Sequence, residues 1–195
     1  MKPILLFATS NENKKNEVQA LLRDQYQIKS LADLNFKEEI PEPFDTLEEN
    51  ARHKAEYLYK VLHLPCFAED TGLEVFSLNH APGVKSARYA GEQRSSEDNM
   101  NLLLKNLEPH IDRSARFRTV VSYYDGIEFK QFEGIVEGAI GREKMGTDGF
   151  GYDPIFIPEG YERTSAELSS EEKNAISHRR KALDKLTVFF AHNVK

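Results

Sequence analysis

"PILLFATSNENKKNEVQALLRD", residues 3–24, is the stretch whose reading decides the fold class. Its first part, PILLFAT, is a short β-rich apolar run and reads as a buried strand over 3–9. It passes directly into SNENKKNEVQALLRD, where Val18, Leu21 and Leu22 keep helical spacing. Strand, turn and helix in that order open an α/β protein. YQIKSL (26–31) reads as a second strand, and KEEIPEPFDT (37–46), rich in Glu and Pro, as an ordered loop.

Downstream, the pattern alternates in the same way. The clearest helix is TLEENARHKAEYLYKVLH (46–63), with Leu47, Ala51, Ala55, Leu58 and Val61 as its apolar stripe. Thr46 and Glu49 form a capping box at its start. On a different face Asn50, Lys54 and Tyr57 align at i, i+4 and i+7. LPCFAEDTGLEVF (64–76) reads as strand, polar interruption, strand, and residues 95–108 as a helix carrying Met100, Leu103, Leu104 and Leu107. ARFRTVVSYYDG and IEFKQFEGIVEGAI are two β-rich runs with Asp125-Gly126 as the hairpin turn between them. A last helix is expected over 170–192, opened by a Ser169/Glu172 capping box.

The composition narrows the function classes. A chain of 195 residues buries roughly 70% of its unfolded surface and needs no staple. Its single cysteine, Cys66, excludes an intrachain disulfide and reads as a small buried residue. A formal charge of −6 argues against a dedicated nucleic-acid binder, though a local basic pocket for a small anion remains open. The apolar run at the N-terminus is too short for a signal segment, and no stretch approaches the ~20 apolar residues of a membrane span. The expectation is a soluble cytoplasmic protein with no membrane partner.

Four places could carry chemistry. In TSNENKK, Thr9, Ser10 and Asn11 stand where strand gives way to helix, with Lys14 and Lys15 in the first turn. Lysines there oppose the macrodipole, an arrangement that makes sense around a bound phosphate; a plain cap with solvated lysines is the alternative. Glu69 and Asp70, before Thr71 and Gly72, offer oxygen ligands to Mg²⁺, or else a polar turn with Gly72 at positive φ. Lys54, off its helix's apolar stripe, is either simply exposed or faces the same spot. Phe150 and Tyr152 alternate with glycine in DGFGYDP (148–154), and six of the eleven glycines lie between Gly134 and Gly151. Such rings can stack on a planar ligand or anchor a turn. SHRR (177–180) sets a His and two Args on a helix, a pattern usual for a solvated face.

TSNENK, AEDTGLEV, SARYAG, GFGYDPIF and EEKNAISHR occur in this order, and together they resemble the inosine triphosphate pyrophosphatase family, also called Ham1-like or RdgB-type. The likeness covers essentially the whole chain. It implies one domain over 1–195, with an elongated, strongly twisted mixed β-sheet flanked by helices and two lobes around a central nucleotide cleft. It implies Mg²⁺-dependent hydrolysis of inosine, deoxyinosine and xanthosine triphosphates to monophosphate and pyrophosphate, by a homodimer that keeps deaminated purines out of nucleic acids. Rival classes are a house-cleaning pyrophosphatase for other modified nucleotides and a non-catalytic nucleotide sensor.

By this resemblance Asp70 is the proton acceptor and a metal contact. Glu42, in PEPFDTLEENA, matches the other metal-binding carboxylate. Pro43-Phe44 replaces the family's Thr-Gly there, so Glu38 and Glu39 stay in view as substitutes. Glu69 stands where the family often has Asp, and its longer arm suits a supporting role. Thr9, Ser10, Asn11 and Lys14 match the phosphate-binding turn, with Lys54 as a further triphosphate contact and Thr71 beside the substrate. Phe150, Gly151, Tyr152 and Asp153 match the nucleoside loop, and Lys173, His178 and Arg179 the substrate contacts of the last segment.

Overall fold

The computed structural model describes residues 2, 4–22, 26–36, 38 and 40–193. Strand β1 (Ile4–Phe7) lies parallel to β2 (Gln27–Lys29) on one side and β3 (Cys66–Val75) on the other. The first strand–helix unit is as expected, with helix α1 at Glu12–Leu22. The mixed sheet runs β2-β1-β3-β5 (Ser114–Tyr124)-β6 (Phe129–Ile140)-β7 (Phe156–Pro158), with β4 (Pro82–Gly83) paired to β3. Among the described residues, no helix is long and apolar enough to cross a membrane.

Two compact units divide the chain. The first comprises residues up to 70, 119–134 and 179 onward. Parallel strands covered on both faces must be apolar on both, and β1 obeys this residue by residue. Leu5 and Phe7 join Phe67, Val18 and Leu22 in a core closed by Leu183, Leu186 and Phe190 of helix α5 (His178–Asn193). The Phe7 and Phe67 rings stack at 4.5 Å. Leu6 and Ala8 turn the other way, to Cys66, Ala68 and the Ala55–Leu58 face of helix α2 (Leu47–Leu62). On α2 itself, Leu47, Ala51, Ala55 and Leu58 are buried as expected, but Val61 is 47% exposed because the helix is ending and the stripe has rotated past the sheet.

The second unit comprises residues 71–118 and 135–178. Here the end of β3 pairs antiparallel with β4 (Pro82–Gly83), and β6 (Phe129–Ile140) with β7 (Phe156–Pro158). Helix α3 (Ser96–Asn106) covers the core through Met100 and Leu103, against Leu73, Val75, Ile140 and Phe156. The hairpin turn between β5 (Ser114–Tyr124) and β6 falls where Asp125-Gly126 places it: Asp125 Oδ1 accepts the N–H of Ile127 and Glu128.

Two sequence expectations are corrected. Strand β3 is continuous through Glu69-Asp70-Thr71, with no polar interruption. Gly72 is not a positive-φ turn residue; it is required because a Cβ there would come within 2.6 Å of the Gly83 carbonyl oxygen. The helix expected over 170–192 is two, α4 (Ser170–Ile176) and α5, separated by Ser177 in an extended conformation (φ −52°, ψ 129°) that no helix can propagate through.

The end of β2 carries a pH-sensitive clamp. Asp33 accepts hydrogen bonds from the Ser30 N–H (2.8 Å) and hydroxyl (3.0 Å), and its other oxygen lies 3.0 Å from Lys15 Nζ. The Ser30 N–H, then Lys15, hold the Asp33 carboxyl down at about 2, below the ordinary 3.8. A depressed carboxyl contributes stability that is fully present above its ordinary value and lost as pH falls through its folded one. Wild type is therefore expected to be more stable than Asp33→Asn by a constant margin above about pH 5, a margin that closes toward pH 2. Urea midpoints across that range check this; a margin independent of pH contradicts it.

Candidate active site

Strand periodicity resolves the adjacent carboxylates. Successive side chains of a strand point to opposite faces. Glu69 shares the parity of Phe67 and faces α1 and α5, whereas Asp70 shares that of Ala68 and faces α2. Neighbours in sequence, the two acids belong to separate clusters.

On the α2 face, Thr46 caps the helix by accepting the Glu49 N–H, and one turn in, Asn50 and Lys54 are buried. Lys54 Nζ lies 2.7 Å from Glu42 Oε1 and 3.1 Å from Asp70 Oδ1. Lys54 is therefore not an exposed lysine: it is 6% exposed and bridges two acids. Burial alone would lower its pKa, but Asp70 and Glu42 outweigh this and hold the ammonium above its ordinary value. Burial raises the Asp70 carboxyl, with Lys54 opposing. Asp70 Oδ2 is buried and has no hydrogen-bond partner among the described residues. A buried oxygen left unpaired costs free energy that a bound water or ion normally offsets. Of the two substitutes for Glu42, Glu38 accepts the Tyr57 hydroxyl at 3.0 Å, and Glu39 lies outside the described residues.

On the opposite face, Arg179 grips Glu69 with both arms, Nε to Oε2 and Nη2 to Oε1, each at 2.8 Å. Its remaining arm, Nη1, pairs with Glu17 of α1. Lys14 Nζ, from the first turn of α1, lies 3.1 Å from Glu69 Oε1. Burial raises Glu69, opposed by Lys14, and pushes the Arg179 guanidinium down to about 10, still cationic at neutral pH. Arg179, expected among the substrate contacts, is 1% exposed with its donors directed at acids. Asn11 and Thr9 have a structural part here: Asn11 Oδ1 accepts the Lys14 N–H, and Thr9 Oγ1 accepts the Asn11 N–H. Ser10 is exposed beside them. Glu17 escapes the sequence reading; its three-residue spacing from Lys14 on one helical face is the signal that could have found it.

In the second unit, Asp153 organises the glycine-rich loop. Its Oδ2 accepts the Phe150 N–H at 2.8 Å and Lys173 Nζ at 2.7 Å. Gly149 is at φ +82°, and a Cβ there would meet that oxygen at 2.3 Å. The two rings part company. Tyr152 is a core residue whose hydroxyl donates to the Ser86 carbonyl at 2.8 Å, and burial raises its phenol. Phe150 is half-buried, with the Lys173 ammonium 5.1 Å from its ring centre. Gly151, between them, is at φ +65° with open space where a Cβ would stand. His178 stacks on Phe117 at 5.1 Å, and Thr71 is half-buried beside Asp70.

A hard divalent cation of the Mg²⁺ type takes one or two carboxylates and completes its shell with water and substrate phosphate. The unpaired Asp70 Oδ2, with Glu42 across Lys54, fits that demand. Among the described residues no group of three or more His, Cys, Asp or Glu side chains is arranged to hold a metal.

Fold and site together define a class: an α/β protein with a mixed sheet, a lysine bridging a strand carboxylate and a loop carboxylate, and a glycine-rich aromatic loop. The chain belongs to the Ham1 family, whose model matches residues 5–189. It is 52% identical over 184 residues to the dITP/XTP pyrophosphatase of Flavobacterium johnsoniae, covering 93% of this chain and 95% of that one. The dITP/XTP pyrophosphatase of Bacillus subtilis is 46% identical, covering 93% and 94%. Among solved structures, the Staphylococcus aureus Ham1 protein superposes with a TM-score of 0.88 at 41% identity, covering 97% of this chain and 98% of that one. A HAM1 protein from Coxiella burnetii gives 0.89 at 39%, covering 98% and 100%.

Proposed function

We propose that this chain is a nucleoside triphosphate pyrophosphatase that hydrolyses ITP, dITP and XTP to the monophosphate and pyrophosphate. The observation that carries the reading is Asp70: a buried carboxylate with one oxygen held by Lys54 and the other unpaired. It sits in a chain half identical to enzymes named for this activity.

Glu42 and Asp70 would hold Mg²⁺, which when bound polarises the α-phosphoryl group and offsets phosphate charge. Lys54 keeps Asp70 Oδ1 fixed, so that Oδ2 is the oxygen presented to the attacking water. Burial makes this carboxylate a better base than an exposed Asp, and it takes the proton as the water oxygen bonds to the α-phosphorus. The bond from the α-phosphorus to the bridging oxygen breaks, and pyrophosphate leaves. Lys14 and Lys173 supply positive charge that the acidic protein as a whole lacks. Glu69 fixes Lys14, and Arg179 fixes Glu69, so the buried guanidinium acts through others and is a positioning residue.

Base choice then rests on the glycine-rich loop and His178. Hypoxanthine and xanthine present an oxygen at position 6, where adenine presents an amino group. Donors that bind the former are left unpaired against the latter, a costly mismatch in a desolvated site. Phe150 provides the face on which the base stacks. A homodimer in the cytoplasm belongs to the same proposal.

The test is steady-state hydrolysis of ITP, dITP, XTP, GTP, ATP and a modified pyrimidine triphosphate with Mg²⁺, measuring pyrophosphate and orthophosphate separately. kcat/KM for ITP and XTP is expected to exceed that for ATP by about 100-fold, with pyrophosphate as product. Preference for a modified pyrimidine nucleotide, or tight ITP binding without turnover, overturns the reading.

A further inference from the structure

We propose that Asn50 is a positioning residue for this reaction, clamping the loop that carries Glu42. The inference rests on the assignment of Glu42 and Asp70 to the metal and the attacking water. Asn50 is 0% exposed, and both functions of its side-chain amide bind one residue's main chain. Oδ1 accepts the Phe44 N–H and Nδ2 donates to the Phe44 carbonyl, each at 3.0 Å. A primary amide is the only side-chain group that sets one donor and one acceptor side by side in this way. Aspartate lacks the donor and leucine lacks both. Asn50 itself is inaccessible, whereas Phe44 at the loop's exit is 39% exposed, so losing the amide releases that stretch of backbone to water.

The clamp matters because of where Glu42 lies. Two residues before it, Ile40 is buried in the core under α2. Two residues after it stands Phe44, held by Asn50. Pro41 and Pro43 flank Glu42 directly, fixing their own φ and driving Ile40 and Glu42 toward extended backbone. The loop is thus stiff within itself and anchored at its entry; Asn50 closes its exit. One helical turn beyond Asn50, Lys54 of the same helix receives the Glu42 carboxylate at 2.7 Å. Helix α2 thereby sets both the loop and the charge it meets. This accounts for the Asn50–Lys54 alignment on a face distinct from the apolar stripe, and for a chain with Pro43-Phe44 keeping Glu42 in register.

A double-mutant cycle tests it. Asn50→Ala is expected to lower kcat for ITP about 100-fold, with KM within about three-fold, as misplacement of a catalytic group does. In a Glu42→Gln background the same change is expected to cost less than about three-fold, since Asn50 acts through Glu42. Independently of turnover, hydrogen exchange at the Phe44 amide is expected to rise at least about ten-fold while strand β3 amides stay protected. Equal losses in both backgrounds, or unchanged Phe44 exchange, overturn the proposal. Should Asn50→Ala fail to fold, Asn50→Ser, which cannot offer the paired donor and acceptor of an amide, is run through the same cycle and the same exchange measurement, and equal losses in both backgrounds overturn the clamp. Lack of ITP turnover in wild type defeats the pyrophosphatase reading alone, and the exchange result then decides whether Asn50 holds the loop.

Discussion

Replacing Asp70 with Asn is expected to lower kcat for ITP hydrolysis about a thousand-fold while KM stays within about three-fold. The two oxygens of Asp70 do different work. Oδ1 is held by Lys54 at 3.1 Å, and an amide oxygen can keep that bond; Oδ2 is the buried, unpaired oxygen, and an amide nitrogen there can neither accept a proton nor ligate a cation. The substitution therefore removes the base and leaves the scaffold. It also removes a buried negative charge that burial already disfavours, so the melting temperature is expected to hold or rise. Substrate affinity survives because Lys14 and Lys173 are untouched. Near-normal turnover with a saturable Mg²⁺ dependence would falsify the assignment, and a loss carried in KM would move Asp70 from chemistry to binding.

How legible this site was in the sequence depends on the range of its contacts. The opening strand and helix, the capped helix α2 and the Asp125-Gly126 turn are local patterns, and all are present. Family resemblance singled out Glu42, Lys54 and Asp70, and the structure brings those three together. The division of labour between Glu69 and Asp70 follows from period-two alternation once β3 is known to be continuous. Thr71-Gly72 obscured that, because a glycine needed for close approach to Gly83 looks in sequence like a turn glycine. Arg179 was beyond local reasoning. SHRR reads as a solvated basic run, and only a partner 110 residues earlier makes its first Arg a core residue. Tyr152 was equally ambiguous beside Phe150, since alternation with glycine does not say which ring is covered. The break at Ser177 leaves no composition signal, and it is that break which starts α5 just before Arg179.

Breaking the Arg179–Glu69 pair is expected to cost more stability than loss of either the Asp33 clamp or the Asn50 hydrogen bonds. Both groups are essentially inaccessible, at 1% and 2% exposure, so removing one leaves the other's buried charge with only its less buried second partner, Glu17 for Arg179 or Lys14 for Glu69. Arg179→Met or Glu69→Leu is each expected to destabilise by about 3–5 kcal/mol. Replacing both removes the two most buried charges together, and apolar side chains of similar volume then fill the space, while Lys14 and Glu17 keep partial access to water. The double variant is expected to recover to within about 2 kcal/mol of wild type, far short of additivity. Function need not follow stability. Lys14 would have lost its acid, and with it the fixed position that the guanidinium–carboxylate fork maintains, so KM for ITP is expected to stay about ten-fold raised in the refolded double variant, with kcat less affected. Denaturant midpoints measured beside kcat and KM separate the two effects. Additive stability losses would mean that the pair is not energetically coupled, and a wild-type KM in the stable double variant would mean that Lys14 does not depend on it.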